Sequence, residues 1–376
     1  MYVSRRDFLS SMGGAVTATA LSPQILSVPL AAAGRTPTKA PILLNRNENA
    51  YPTSPAILNA LRSASAFSNR YPYPALNDAI SEIARFHGVD EKMVLLGCGS
   101  TDILRICANA FLTPGHTLVL ADPTFEAIRD CAQAVGGKVV SVPLNHRYEH
   151  DLETMLARAD SRTTLVYICN PNNPTGTITP RKRLESFLRA LPQDIYVLID
   201  EAYHHYAGAS SEYASMLEPA ASDPRLIVTR TFSQVYGLAG MRVGYAVANE
   251  STIRRLLPYQ LWAGVNVAAA LACSAALKDT AFLRLAVKRN QDDRQEFFNQ
   301  AQARVLKPLD SHTNFFFMDA GRQASGVIAH FKRHNVLIGP EFPSMSTFIR
   351  VTLGLPDEMR EFWRVWDLLP PGRMSM

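Results

Sequence analysis

Lysine is scarce in this chain. Of its 38 basic residues, 30 are arginine and only eight are lysine: Lys39, Lys92, Lys138, Lys182, Lys278, Lys288, Lys307 and Lys332. Chemistry that needs a primary amine therefore has few candidates. The cysteines Cys98, Cys107, Cys131, Cys169 and Cys273 are odd in number and contain no Cys-x-x-Cys. That argues against a disulfide framework and against a zinc site, and the apolar runs around several of them suit buried thiols. Net charge is +5, but no dense Lys/Arg run occurs, so nothing points to nucleic acid. The Gly-x-Gly-x-x-Gly fingerprint of a dinucleotide fold is missing. No apolar run is strong enough for a stable membrane span, and no repeat or low-complexity segment follows the first 33 residues. With 47% hydrophobic and 19% charged residues, the chain is not a disordered one, and 376 residues suffice for two domains.

What is present begins with a segment read as an address. Ser4-Arg5-Arg6-Asp7-Phe8-Leu9 resembles the twin-arginine export motif. A weakly apolar stretch rich in Ala, Gly and Ser follows over 10–30, broken by Pro23 and Pro29, and ends at Ala31-Ala32-Ala33 before Gly34. The expectation is a signal peptide over 1–33, recognised by the twin-arginine translocase, and a periplasmic or exported mature protein. That pathway carries folded proteins, often cofactor-loaded ones.

Beyond it, short apolar runs alternate with amphipathic stretches. Strands are expected at 93–96, 117–121, 138–142, 164–169, 196–199 and 226–229, and helices at 101–112 and 125–135. Such alternation implies a mostly parallel sheet covered on both faces, an α/β fold. After residue 256 the pattern changes: helices at 267–277 and 282–303, then strands at 315–318 and 348–351, read as a smaller α+β unit. The expected division is an N-terminal arm over 34–60, a large domain over 61–265 and a small domain over 266–376.

Ligands of such sheets bind beyond the carboxyl ends of the strands, so polar residues just after strands matter most. Four segments qualify. Gly97-Cys98-Gly99-Ser100-Thr101-Asp102 joins a strand to a helix, where free amides suit phosphate, although a plain tight turn reads equally well. Asn170-Pro171-Asn172-Asn173-Pro174-Thr175-Gly176 is a rigid turn that would present an amide to a cleft. Asp200-Glu201-Ala202-Tyr203 places two acids at the end of a buried strand. Asp200 suits a cationic ring nitrogen, or alternatively a helix N-cap. In Thr231-Phe232-Ser233-Gln234 and the following Arg242, small polar groups surround Ser233 and Arg242, which suit phosphate.

In order and spacing these segments resemble the class I/II aminotransferases of pyridoxal-phosphate fold type I, closest to the histidinol-phosphate aminotransferase branch. The resemblance runs over roughly 43–353 and implies a large mixed, mostly parallel sheet domain with a smaller α+β domain. It implies pyridoxal 5'-phosphate as cofactor, amino acids and 2-oxo acids as substrates, and a homodimer. Ser100, Thr101, Ser233 and Arg242 would hold the cofactor phosphate. Phe125 would stack on the ring, without the hydroxyl of the tyrosine often found there. Asn173 and Tyr203 would bond the ring oxygen, and Asp200 would keep the ring nitrogen protonated. Tyr71 would reach the phosphate from the neighbouring subunit. Tyr51 would flank substrate, and Arg350 would bind its carboxylate.

The resemblance breaks at Gln234. The family has a lysine there, which joins the cofactor as a Schiff base and shuttles the proton. A carboxamide nitrogen does neither, because its lone pair is delocalised. Lys182 and Lys278, the nearest lysines in sequence, read as exposed on helices. Three readings follow: an aminotransferase relative that has lost its lysine, naturally or as a trap variant; a protein that binds pyridoxal or pyridoxamine phosphate without turnover; or a lysine-independent catalyst using Tyr203, His204 or His205. The two histidines read as surface residues of a loop. A nicotinamide dehydrogenase, also α/β, is disfavoured by the missing glycine fingerprint.

Overall fold

The structure, a computed structural model, describes residues 40–370. The signal segment at 1–33 lies outside the described residues, as do Lys39 and the last six positions. Among the described residues eleven strands occur in chain order: β1 Ile42–Leu44, β2 Val94–Gly97, β3 Thr117–Asp122, β4 Lys138–Pro143, β5 Thr163–Cys169, β6 Tyr196–Asp200, β7 Leu226–Thr231, β8 Gly244–Ala248, β9 Phe315–Asp319, β10 Val336–Ile338 and β11 Phe348–Thr352. Seven form one sheet in the order β2-β8-β7-β6-β5-β3-β4. The β7–β6–β5–β3–β4 run is parallel throughout, and β8 alone is reversed, pairing antiparallel with both β7 and β2. The expected mixed, mostly parallel sheet is thus present.

Successive strand residues feed two separate cores, as a pleated sheet with two covered faces requires. Val119, Val166, Ile168, Val197, Ile199 and Val228 face one cluster, while Leu118, Leu120, Leu165, Tyr167, Leu198 and Ile227 face the other. The edge strand β4 is mostly solvated and carries Lys138 outward, which blunts the edge. A third core lies under the antiparallel pair β9–β11 and the parallel pair β1–β10. There Phe297 stacks on Phe316 with centroids 4.1 Å apart, an arrangement worth about 0.5–1.5 kcal/mol beyond its area. From Pro41 onward the chain forms one compact unit.

The helices sit where the pattern placed them, with shifts of one or two residues. Ser100–Phe111 begins at Gly99, whose φ of 78° no residue with a Cβ adopts readily. Asp102 in its first turn accepts the Cys98 amide. Val267–Lys278 is capped by Asn266, and Thr280–Ala303 by Asp279, each side chain accepting an amide of the first turn. Among the described residues, no helix is long and apolar enough to cross a membrane.

Candidate active site

A cavity of about 680 Å³ opens at the carboxyl ends of the central strands. Ser100, Thr101, Phe125, Asn173, Asp200, Tyr203, Ser233, Gln234, Arg242 and Arg350 all line it. Ten residues spread over 251 positions of sequence therefore converge on one space. Tyr51 and Tyr71 do not line it. Tyr51 donates to Asp293 at 3.3 Å beneath the Arg289 guanidinium, and burial with Asp293 pushes its hydroxyl up to about 12. Tyr71 is 78% exposed on the surface beside Tyr73.

One side of the cavity is a close-packed cradle of helix N-terminus and guanidinium. The helix Ser100–Phe111 points its free amides inward with Ser100 and Thr101 at its first positions. Arg242, in the left-handed region at φ 56°, donates to Ser233 Oγ at 3.3 Å and to the Ala239 carbonyl at 3.0 Å. Its guanidinium occupies the space a Cβ on Gly99 would need, and a Cβ on Gly244 would strike the Ser100 amide. Both glycines are thus set by close approach. Thr231 donates to Ser233 Oγ at 2.9 Å and accepts the Ser233 amide at 3.1 Å, which fixes that hydroxyl.

The Asn-Pro turn after β5 divides its labour. Asn170 exchanges two bonds with Thr179, and Asn172 binds the Pro123 carbonyl, Thr124 and Thr175. Both amides are consumed within the fold, and only Asn173 faces the cavity. Asp200 ends β6, 2% exposed, and is no helix N-cap: the short helix that follows begins after Tyr203. Its carboxylate accepts from the Tyr167 hydroxyl at 3.0 Å and from the Ala202 amide at 3.1 Å. Burial raises its pKa to about 6 against those two bonds. Glu201 turns away from the cavity and meets Arg230, which donates from Nε at 3.0 Å and from Nη2 at 2.8 Å. Ser215 and the Met216 amide, both at 2.7 Å, complete its shell.

Several of these partners were not anticipated. Tyr167 is the one aromatic residue in β5, and Arg230 is a charge inside the buried β7. Each was a signal, since a buried polar group needs a partner. One reading needs correction. His204 and His205 are not on a surface loop. They form part of the short helix His204–Ala207 and are half-buried, with Tyr213 and Tyr236 hydroxyls as neighbours at 3.0 Å and 3.4 Å. Burial keeps both imidazoles neutral well below their usual range. Neither lines the cavity.

No lysine among the described residues lines the cavity. Lys182 and Lys278 are exposed on helices as expected, and Lys278 is paired with Glu82 at 2.9 Å. Gln234 is half-buried beside Ser233, and its Oε1 has no hydrogen-bond partner among the described residues. The Arg350 Nε is likewise without one. The five cysteines are free thiols, and no cluster of metal-ligating side chains occurs among the described residues.

A mostly parallel seven-stranded sheet with a polar cavity at its carboxyl edge is the architecture of the fold type I aminotransferase class of α/β proteins. Residues 39–364 match the family model of aminotransferase class I and II, and the chain belongs to that family. It is similar to the histidinol-phosphate aminotransferase of Moorella thermoacetica, with 36% identity over 325 residues, 86% of this chain and 84% of that one. Histidinol-phosphate aminotransferase 2 of Pseudomonas aeruginosa is 37% identical over 322 residues, 85% of this chain and 87% of its own. Among solved structures, histidinol-phosphate aminotransferase from Sinorhizobium meliloti in complex with pyridoxal-5'-phosphate superposes with a TM-score of 0.83 at 27% identity, covering 88% of this chain and 92% of that one.

Proposed function

We infer that the cavity holds pyridoxal 5'-phosphate without a covalent bond, and that the chain serves amino-group transfer between an amino acid, of the histidinol-phosphate kind or another, and a 2-oxo acid. The observation that carries this reading is the convergence of Ser100, Ser233 and Arg242 with Asp200, Asn173 and Tyr203 on one cavity. The residues fit the cofactor's chemistry. The Gly99 cradle suits a phosphate dianion. Asp200, held by Tyr167, would face a protonated ring nitrogen, and Phe125 would cover the ring. Asn173 and Tyr203 would meet the ring oxygen, and Arg350 would meet a carboxylate. The bound group supplies an electron sink. This chain's residues bind it, orient it and exclude water around it.

What they do not supply is an amine. Gln234 stands where the family resemblance expects the Schiff-base lysine. Its amide neither condenses with an aldehyde nor moves a proton near neutral pH, so turnover is expected to fall by several powers of ten. A second reading, a protein that binds pyridoxal or pyridoxamine phosphate without turnover, is favoured by the absence of a lining lysine among the described residues. Gln234→Lys separates the two. Half-reaction activity with an amino acid supports the impaired transaminase; tight cofactor binding without it supports the binding protein. Borohydride treatment of the unmodified protein with cofactor should leave no lysine-linked adduct, and such an adduct would sink the non-covalent reading.

We further propose export through the twin-arginine translocase, supported by Arg5-Arg6, Phe8-Leu9 and the Ala31–Ala33 triplet. Fractionation should recover the mature protein from the periplasm, and retention in the cytoplasm with an intact N-terminus would count against it. A homodimer is proposed on the exposed apolar surface of Tyr71, Leu261 and Trp262, the last 94% exposed, with Tyr71 reaching the other subunit's phosphate site. Sedimentation at micromolar concentration tests it.

A further inference from the structure

Asn47 lies between β1 and the helix Pro55–Ala64, 2% exposed and in the left-handed region at φ 57°. Its segment is anchored on both sides. Asn314 Nδ2 donates to the carbonyls of Asn47 and Glu48 at 2.9 and 3.2 Å, and Arg350 Nη2 donates to the Asn45 carbonyl at 2.9 Å. The Asn47 side chain then spans from β11 to the loop after β6. Its backbone amide donates to Thr352 Oγ1 at 2.9 Å, Thr352 Oγ1 lies 3.3 Å from Asn47 Oδ1, and Asn47 Nδ2 lies 2.9 Å from the Tyr203 hydroxyl.

The donors in this chain can be ordered. The Thr352 oxygen accepts the Asn47 amide, so its own hydrogen is free to donate, and the Asn47 Oδ1 is its one acceptor among the described residues. Thr352 is buried, and the reverse orientation of the Asn47 amide would leave that hydrogen without an acceptor, at a cost of about 1–3 kcal/mol. Nδ2 therefore faces Tyr203 and donates to it. The Tyr203 oxygen is occupied as an acceptor, and its own hydrogen must go elsewhere. Burial keeps the hydroxyl protonated, its pKa held well above the usual range although Arg350 and Asn47 pull the other way. Phe315, edge-on at 5.1 Å, covers one side of the ring, and Tyr203 lines the cavity.

We propose that Asn47, backed by Thr352, is a positioning residue that fixes the direction of the Tyr203 hydrogen bond, so that Tyr203 enters the cavity as a donor to an anionic ring oxygen. The inference rests on the cofactor reading above. Asn47 also borders the cavity, whereas Thr352 does not; the role assigned to both is exerted through Tyr203.

Asn47→Asp tests the direction at nearly constant shape. A carboxylate at this position accepts from Tyr203, withdrawing its hydrogen from the cavity. Titration with pyridoxal 5'-phosphate, followed by absorbance and by thermal melting, should show about tenfold weaker binding for Asn47→Asp and for Tyr203→Phe. Asn47→Asp in a Tyr203→Phe background should cause no further loss, and the absorbance band of the bound ligand should shift with either single change. Thr352→Val should weaken binding in the same direction and Thr352→Ser should restore it, which keeps the test open if Asn47→Asp does not fold. Asn47→Asp binding within twofold of the unmodified protein would overturn the proposal. So would a loss that persists undiminished in the Tyr203→Phe background, since that would be a plain charge effect. No binding by the unmodified protein would overturn the cofactor reading and this proposal together, a pattern distinct from either.

Discussion

The Arg350 guanidinium donates from Nη1 to the side-chain oxygen of Asn173 across 2.6 Å, tying β11 to the turn after β5. Its Nη2 is taken by the Asn45 carbonyl, and its Nε has no partner among the described residues. Because Asn173 Oδ1 is occupied, the hydrogens of its Nδ2 are the part left for a ligand. The two residues thus divide the cavity: a donor amide for one ligand group, and a partly used cation for another.

Arg350→Lys should therefore weaken binding of an amino-acid carboxylate by about tenfold while changing cofactor affinity less, because an ammonium cannot reproduce the fork. Asn173→Ala should weaken both, since it removes the amide and frees the guanidinium. Titrating the cofactor-loaded protein with amino acids measures each. Unchanged carboxylate affinity in Arg350→Lys would remove Arg350 from the substrate site.

The Glu201–Arg230 pair is a stability element behind the site. Both side chains are buried, and Glu201→Gln leaves Arg230 without its charge partner. Breaking such a pair costs about 3–5 kcal/mol. The denaturant midpoint should fall accordingly, and Glu201→Leu with Arg230→Met should recover much of the loss.

Acid should destabilise the fold at moderate pH. Burial, assisted by Arg230, holds His87 down to about 3, and burial holds His150 down to about 4. The unfolded chain binds these protons near pH 6.5, the folded chain only at about 3 and 4, so stability is full above 6.5 and declines as pH falls toward those values. Asp200 works in the opposite sense. Its folded pKa of about 6 lies above the unfolded 3.8, so its contribution is full below 3.8 and is lost as pH rises through 6. With His204 and His205 also held down by burial, the imidazoles outweigh the Asp200 carboxyl, and denaturant midpoints at pH 7 and 4.5 should show the net loss. His150→Gln should make the pH dependence shallower.

Gly99→Ala should damage the proposed phosphate cradle and the fold together. A methyl there meets the Arg242 guanidinium, and its φ of 78° is unfavourable for alanine. A loss of about 1 kcal/mol or more is expected, with weaker cofactor binding. Calorimetry with and without cofactor separates the two effects.

Much of this molecule is legible in its sequence. The strands from Leu118 to Val228 announce themselves because both sheet faces are covered, so they are apolar end to end. Of the ten cavity residues, Ser100, Thr101, Asn173, Asp200, Ser233 and Arg242 stand in polar segments at or after strand ends, whereas Phe125, Tyr203, Gln234 and Arg350 are legible only through the family resemblance. What escaped depends on long-range partners. Asn47 finds Tyr203 over 156 positions, and Arg230 finds Glu201 only across β6 and β7. His204 and His205 were misplaced because residue type suggested solvent, whereas Tyr213 and Tyr236 take their ring nitrogens underneath. Tyr51 and Tyr71 lie outside this chain's cavity.

The Arg242 guanidinium rests against Gly99 and bonds Ser233, whose hydroxyl is in turn held by Thr231. Its rotamers are therefore restricted before any anion arrives. The entropy of immobilising that long side chain belongs to folding rather than to binding. A phosphate-bearing ligand should meet a preorganised receptor: association close to the diffusional rate for its charge, little change in heat capacity, and affinity differences among phosphorylated ligands expressed in how slowly they leave.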